Sequence, residues 1–285
     1  MYRIINKKKL NASVVMMDVE APLIAHRAEA GQFVILRADS EGERIPLTIA
    51  GYDRELGTVK IIFQIAGATT LKLSALNVGD AVADIAGPLG NATELDGVSD
   101  ALIVGGGVGT AIALPIAKKL RELGAKITVV IGFRTKELVI LEDEFCDIAD
   151  ELRIVTDDGS YGECGNVCMP INEMLVAGKR FDKVFAIGPI PMMKYTYLAV
   201  KEYGIPCTVS MNPIMIDGTG MCGGCRLTLK KGGERVVSFA CVDGPDFDAA
   251  EVDFDEAATR LGMYRDFARH AYDDACNLFK KEIEE

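Results

Sequence analysis

Three cysteines and one aspartate towards the C-terminal end place the tightest constraint on what this chain can fold into. The stretch reads Asp217-Gly-Thr-Gly-Met-Cys222-Gly-Gly-Cys225, and Cys241 follows after fifteen residues. With a cysteine at 217 this would be the C-x4-C-x2-C…C spacing of a plant-type two-iron, two-sulfide centre. Such a centre needs four anionic ligands around a compact inorganic core. The fold must therefore bend one loop sharply and bring a distant residue back to it. Gly218, Gly220, Gly223 and Gly224 suit that loop, because glycine accepts positive φ and lets the backbone approach closely. Asp217 can offer a carboxylate oxygen, anionic like a thiolate but harder; the alternative is a bystander beside a site completed by water. Two other readings of the cysteines stay open at this point. One is a zinc site using the same three thiols, and the other is free thiols with Asp217 as a turn residue.

Composition narrows the setting. A chain of 285 residues with 49% hydrophobic content has room for two cored domains and a small appendage. Its net charge is −11, and basic residues cluster only at Lys7-Lys8-Lys9, which argues against nucleic-acid binding. No stretch reaches the roughly 20 apolar residues of a membrane span. The N-terminal region shows no apolar segment followed by a small-residue cleavage site. The remaining cysteines, Cys146, Cys164, Cys168, Cys207 and Cys276, are odd in number and scattered, so a reducing cytoplasm is expected rather than disulfides. Cys164 and Cys168 read as ordinary small residues in a glycine-rich segment.

Along the chain the texture changes near residue 100. Before it, residues 2–6, 12–17, 32–37 and 59–65 are rich in β-branched and aromatic side chains, punctuated by Pro22, Gly31, Gly42 and Gly57. This predicts a small antiparallel β-barrel, with a helical turn over 69–76 and a closing segment over 79–90. Beyond it, apolar strands at 101–104, 126–131, 152–155, 183–187 and 207–211 alternate with helical patterns. The first of these helices spans about 110–123. That interleaving predicts a doubly wound α/β domain with a parallel sheet, its strands apolar on both faces. The expected division is residues 1–98, 99–212 and 213–285, the last a cluster loop with an amphipathic helix over 253–284. The apolar positions of that helix include Phe254, Ala257, Leu261, Tyr264, Ala275 and Phe279. It packs on its own protein or faces a partner.

Three loops carry further chemistry. Gly105-Gly106-Gly107-Val108-Gly109 lies between a strand and a helix, where free backbone N–H groups and a helix N-terminus suit a pyrophosphate. A plain tight turn explains the same glycines. Thr156-Asp157-Asp158-Gly159-Ser160 and Gly188-Pro189-Ile190-Pro191-Met192 follow two later strands, at the carboxyl ends where open α/β sheets bind ligands. Asp157 or Asp158 can accept from a ribose 2′-hydroxyl and would repel a 2′-phosphate, favouring NADH over NADPH, although Arg134 and Arg153 pull the other way. A turn or capping role explains the acidic pair equally. In the first hundred residues, Arg44-Ile-Pro46-Leu47-Thr48 reads as an edge strand interrupted by proline. Gly67-Ala-Thr69-Thr70 reads as a helix start capped by threonine.

Taken in order, these motifs, together with Phe239-Ala-Cys241-Val-Asp-Gly-Pro245, resemble the flavin-dependent ferredoxin–NADP reductase superfamily over nearly the whole chain. Within it the chain resembles two related families. One is the electron-transfer subunit of dihydroorotate dehydrogenase. The other is the small subunit of the NADH-dependent reduced ferredoxin:NADP oxidoreductases, also labelled sulfide dehydrogenase subunit beta. The resemblance implies FAD on the barrel, near Arg44, Pro46, Leu47, Thr48, Ile65, Gly67, Thr69 and Thr70. The family's flavin-strand arginine stands one residue later, where this chain has Ile45. NAD(H) is implied along Gly106, Gly107, Val108, Arg134, Thr156, Asp157, Asp158, Gly188, Pro189 and Met192. A [2Fe–2S] cluster is implied at Asp217, Cys222, Cys225 and Cys241, and the aspartate matches the second family. The same resemblance implies an oxidoreductase subunit with no acid–base residue of its own, docked on a larger flavin/iron–sulfur subunit. Such a complex couples NADH, NADPH and ferredoxin by electron bifurcation. The rival readings are the dihydroorotate dehydrogenase subunit and, from another class, a non-catalytic nucleotide-binding regulator with structural zinc.

Overall fold

The computed structural model describes the backbone of residues 2–284 and the side chains of residues 2–276. The first unit is a curled antiparallel sheet. Its elements are β1 (Tyr2–Lys9), β2 (Val14–Glu20), α1 (Pro22–Arg27), β3 (Phe33–Arg37), β4 (Arg44–Asp53), β5 (Thr58–Gln64), α2 (Ala68–Ala75), β6 (Ala81–Val82) and β7 (Asp84–Leu89). The strand order is β6-β1-β2-β5-β4-β3-β7. The two ends of that order, β6 and β7, are separated in the chain by Ala83 alone, so the sheet bends round to meet itself as the expected barrel. One detail differs from the sequence reading. Pro22 starts the short helix α1 rather than a turn, which suits proline because the first helical position has no use for an N–H. The strand through Pro46 has the expected open side. Arg44 to Thr48 pair with β3, and from Ile49 onward β4 pairs with β5 instead, so each half has one ladder neighbour. Proline thus sits on the side where no ladder hydrogen bond is required.

The run Val14-Val15-Met16-Met17 does not alternate in polarity because β2 is covered on both faces. Val15, Met17 and Val19 fill the barrel, while Val14 and Met16 join Ala50 and Ile62 in a core shared with the next unit. That unit contains β8 (Asp100–Gly106), α3 (Gly109–Glu122), β9 (Lys126–Phe133), α4 (Glu142–Cys146), β10 (Glu151–Thr156), β11 (Glu163–Cys164), α5 (Cys168–Val176), β12 (Lys183–Ile187), α6 (Ile190–Lys201) and β13 (Cys207–Ser210). Its parallel strands run in the order β11-β10-β9-β8-β12-β13. The order reverses between β8 and β12, which opens a crevice at their carboxyl ends. The residues over 101–104 are wholly buried, as a strand between two helix layers requires.

The remaining chain forms a hairpin, β14 (Arg226–Lys231) and β15 (Glu234–Phe239), then β16 (Asp246–Asp248), α7 (Phe254–Gly262) and α8 (Arg265–Glu284). Sequence reading expected neither the hairpin nor β16, which adds an antiparallel strand to β13 at the edge of the parallel sheet. The hairpin turns on Gly232 and Gly233, whose φ values of 59° and 88° are those of a two-residue primed turn. The single helix expected over 253–284 is two helices, broken after Gly262. Phe254, Ala257 and Ala275 are buried, whereas Leu261 and Tyr264 are exposed; the side chain of Phe279 lies outside the described residues. Among the described residues no helix is long and apolar enough to cross a membrane.

Candidate functional site

The crevice is continuous with a cavity of about 1360 Å³. Gly106, Gly107, Val108, Arg134, Asp157, Gly188, Pro189 and Met192 all line it, so most residues expected at a dinucleotide come together there. Their glycines have distinct reasons. A Cβ on Gly106 would lie 2.4 Å from Met192 Sδ, and one on Gly188 would lie 3.1 Å from the Gly106 Cα, so the two loops pack backbone to backbone. Gly107 has φ +54° and faces open space. The N-terminus of α3 therefore opens on the cavity with no side chain in front of it, which fits a pyrophosphate.

The acidic loop after β10 divides its work. Thr156 is buried, and its hydroxyl donates to the Tyr161 carbonyl at 2.7 Å, which folds the loop back. Asp158 accepts from the Ser160 hydroxyl at 2.6 Å and the Ser160 amide at 3.0 Å, and these bonds hold its carboxyl below the usual range. Asp158 thus has the turn role, and Asp157 is the carboxylate on the cavity wall. Arg153 does not compete for a phosphate, because it pairs with Glu163 and, at 2.9 Å, with Glu173. Arg134 stands on the cavity wall with Asp157.

The barrel residues form a separate group beside this wall. Arg44 pairs with Asp84 at 3.4 Å in the open. Pro46, Leu47 and Thr48 follow it along β4, each half-buried, and Ile65 packs on the barrel core. Thr70 accepts from the amides of Ala66 and Gly67, both at 3.0 Å, and so caps α2. Thr69 is buried and donates to Glu43 at 3.0 Å; Glu43 reaches the cavity wall. The sequence reading missed Glu43, Ser210, Asn212, Arg260 and Tyr264, all of which line the cavity. Ser210 and Asn212 had a usable signal in their position at the end of the last parallel strand.

The cluster loop lies against the barrel. A Cβ on Gly218 would come within 2.7 Å of Leu89 Cδ1 and 3.0 Å of Ile35 Cγ1, so this glycine permits the contact of loop and barrel. The hairpin carries Cys225 at one foot and Cys241 just beyond the other. Their sulfurs are 3.1 Å apart and buried. Burial and the Cys225 thiol push the Cys241 thiol up to about 12; a bound cation is what releases such a proton. On the other side, Asp217 accepts from the Thr219 amide at 2.9 Å and the Cys222 amide at 3.1 Å, and these bonds hold its carboxyl below the usual range. The Cys222 sulfur is exposed and accepts from the Gly224 amide at 3.5 Å. Among the described residues no three His, Cys, Asp or Glu side chains converge on a single-ion site. Cys225 and Cys241 bring two sulfurs together, and the Cys222 backbone amide ties that residue to the Asp217 carboxylate beside them. That arrangement fits a two-iron core, which takes two ligands on each iron, better than a mononuclear zinc.

Fold and loop together define a ferredoxin reductase-like protein with a C-terminal iron–sulfur-binding module. Residues 212–253 match the model of the iron–sulfur cluster binding domain of dihydroorotate dehydrogenase B. The chain is 45% identical to a dihydroorotate dehydrogenase B (NAD(+)) electron transfer subunit homolog of Thermotoga maritima, covering 95% of this chain and 94% of that one. It is 32% identical to the corresponding electron transfer subunit of Streptococcus pneumoniae, over 88% of this chain and 96% of the other. A chain of the solved NADH-dependent reduced ferredoxin-NADP oxidoreductase, a structure bearing on flavin-based electron bifurcation, superposes with a TM-score of 0.88. It is 42% identical and covers 96% of this chain and 97% of that one. The protein belongs to the family of dihydroorotate dehydrogenase B electron-transfer subunits and their homologues.

Proposed function

We propose that this protein is the electron-transfer subunit of a larger oxidoreductase, exchanging hydride with NAD(H) and passing single electrons out through a [2Fe–2S] cluster. The observation that carries the reading is the arrangement of Asp217, tied to the Cys222 amide, beside the Cys225 and Cys241 sulfurs, placed against the barrel on one side. When bound, FAD on the barrel and the cluster supply the conversion of a two-electron hydride into separate electrons. The chain's own residues bind and orient. The open α3 N-terminus and Gly107 receive the dinucleotide pyrophosphate, and Asp157 takes a ribose hydroxyl. Thr48, Gly67, Thr69 and Thr70 are the barrel groups for the flavin nucleotide, with Arg44, Pro46, Leu47 and Ile65 around them. Deep packing of Cys225 and Cys241 would keep water from those two ligands of a bound cluster.

Around the exposed Cys222 stand Ile216, Met221 and Val242, of which Met221 is 88% exposed. An apolar rim around an electron exit suits a protein partner. The partner we favour is a larger flavin/iron–sulfur subunit of the ferredoxin:NADP oxidoreductase kind, working with ferredoxin in the cytoplasm. Support comes from Asp217 and from the 42% identical solved chain. The dihydroorotate dehydrogenase partner is an equal fit to the family membership, and the 45% identical relative carries that name. The test is the isolated protein's visible spectrum and reduced-state EPR, followed by mass spectrometry of what co-purifies with it. Flavin bands with a broad brown absorbance and an axial or rhombic EPR signal are expected. A colourless protein carrying stoichiometric zinc refutes the reading. A co-purifying dihydroorotate dehydrogenase refutes the preferred partner alone.

A further inference from the structure

One half-buried aspartate has no part in the arrangement above. Asp246, in β16, is the direct cross-strand partner of Ser210, the last residue of β13. Directly opposed residues of an antiparallel pair project on the same face, with Cβ atoms about 5 Å apart. Ser210 lines the cavity. On its other side Asp246 meets the segment joining barrel and sheet, where the Thr93 hydroxyl donates to its Oδ2 at 2.6 Å. The second oxygen, Oδ1, is buried and has no hydrogen-bond partner at ordinary distance. Lys183, the cation acting on it across the sheet, has its ammonium engaged by the Glu94 carbonyl at 3.0 Å. The neighbouring backbone is tied on both flanks, with the Asn91 amide on Gly244 O at 2.7 Å and the Met211 amide on Pro245 O at 2.8 Å. The carboxylate is held in place, and one of its oxygens keeps its lone pairs free.

A serine hydroxyl has one proton to give and two lone pairs. A buried acceptor without a partner costs about 1–3 kcal/mol, so a donor rotated onto Oδ1 is stabilising. The Ser210 hydroxyl, directly across the strand pair, is the donor within reach; burial pushes the Asp246 carboxyl up, and the Thr93 and Ser210 hydroxyls oppose that shift. We infer that Asp246 takes the Ser210 proton in the loaded protein, so that Ser210 offers the cavity a hydrogen-bond acceptor and thereby selects a pyridine carboxamide over a pyridine carboxylate. The carboxamide's amino group donates to that oxygen. A carboxylate at the same position can only accept, and it meets the serine lone pairs. This rests on reading the cavity as the NAD(H) site.

Binding can be read without turnover by calorimetry on the oxidised holoprotein, using NAD+ and its deamido analogue, which carries a carboxylate in place of the carboxamide. The wild-type protein is expected to prefer NAD+. Ser210→Ala removes the acceptor, and Asp246→Asn turns the serine round so that it donates to the cavity. Each is expected to narrow the ratio of the two dissociation constants by about fivefold or more, the equivalent of one net hydrogen bond. An unchanged ratio in both variants, with NAD+ still bound, overturns the inference alone. Equal weakening of both dinucleotides in Asp246→Asn, with Ser210→Ala neutral, also overturns it, since Asp246 is then only a structural pin. Failure of the wild-type protein to bind NAD+ overturns the cavity assignment beneath it.

Discussion

Replacing Asp253 separates two ways in which one carboxylate ties the hairpin to the helix behind it. Asp253 is 3% exposed and is the N-cap of α7, accepting from the Glu256 amide at 3.2 Å. Its Oδ2 also meets Lys230 at 3.1 Å and Arg235 at 3.2 Å, one from each strand of the hairpin that carries Cys225 and Cys241. Both cations are more than half exposed, so removing the carboxylate leaves no buried unpaired charge. An N-cap to alanine costs about 1 kcal/mol. Two ion pairs, each with one exposed member, add about 1 kcal/mol together. Asp253→Ala is therefore expected to weaken α7 by about 2 kcal/mol, and Asp253→Asn, which keeps a capping oxygen, by about half as much. In native-state hydrogen exchange the alanine variant should speed exchange of the α7 amides by about thirtyfold and the asparagine variant by about fivefold. The pH dependence has a definite sign. Burial raises the Asp253 carboxyl, but Lys230 and the Glu256 amide outweigh it and hold the group below its ordinary value. The stabilisation is complete above the unfolded carboxylate range, near pH 4, and is lost as pH falls through the lower folded value. Exchange in α7 that does not change in either variant, or that is equal in the two, refutes the apportioning.

Asp217→Cys should retain the cluster while shifting its midpoint potential and EPR g-values, because thiolate is a softer ligand than carboxylate; unchanged spectra and potential would show that Asp217 does not ligate. Asp157→Ala should narrow the preference for NADH over NADPH, read as the ratio of the two kcat/KM values, and an unaltered ratio removes Asp157 from the ribose site. Burial pushes the Cys207 thiol up to about 12, so iodoacetamide near pH 8 should label the exposed Cys146 and Cys164 and spare Cys207. Peptide mapping that finds Cys207 alkylated in the folded protein contradicts that placement.

Local signals were legible in the sequence where they coincide with packing, and illegible where distant pairing decides. The parallel strands were readable because burial on both faces leaves unbroken apolar runs, as at 101–104. The glycine turn after β8 announced itself through residues whose side chains have no space. The edge character of Pro46 was visible, since proline reports the missing N–H, but the exchange of neighbour from β3 to β5 at Ile49 was not. The hairpin was hidden because its strand Glu234-Arg-Val-Val-Ser-Phe239 has no clean alternation, with both Val236 and Val237 exposed. Nothing local marks β16, three residues whose strand character comes wholly from β13. At the site, Asp157 and Asp158 were indistinguishable until Ser160 was seen to occupy one of them. Asp246 escaped notice because its significance lies in Ser210 and Thr93, which are remote in sequence.

The return of β16 to the sheet also bears on how the protein is made. The nucleotide-binding sheet is usually thought of as complete once its last parallel strand has been synthesised. Here β13 stays an open edge until residues 246–248 have emerged, and by then all four candidate ligands at 217, 222, 225 and 241 are already outside the ribosome. Sheet closure therefore always follows synthesis of the metal loop, since the strand that seals the edge cannot arrive before the loop it follows. A gene fragment ending before Asp246 would express a sheet with an uncovered edge, a template for unwanted strand pairing. Shortening this protein to a nucleotide-binding core thus calls for retaining its last strand along with everything that precedes it.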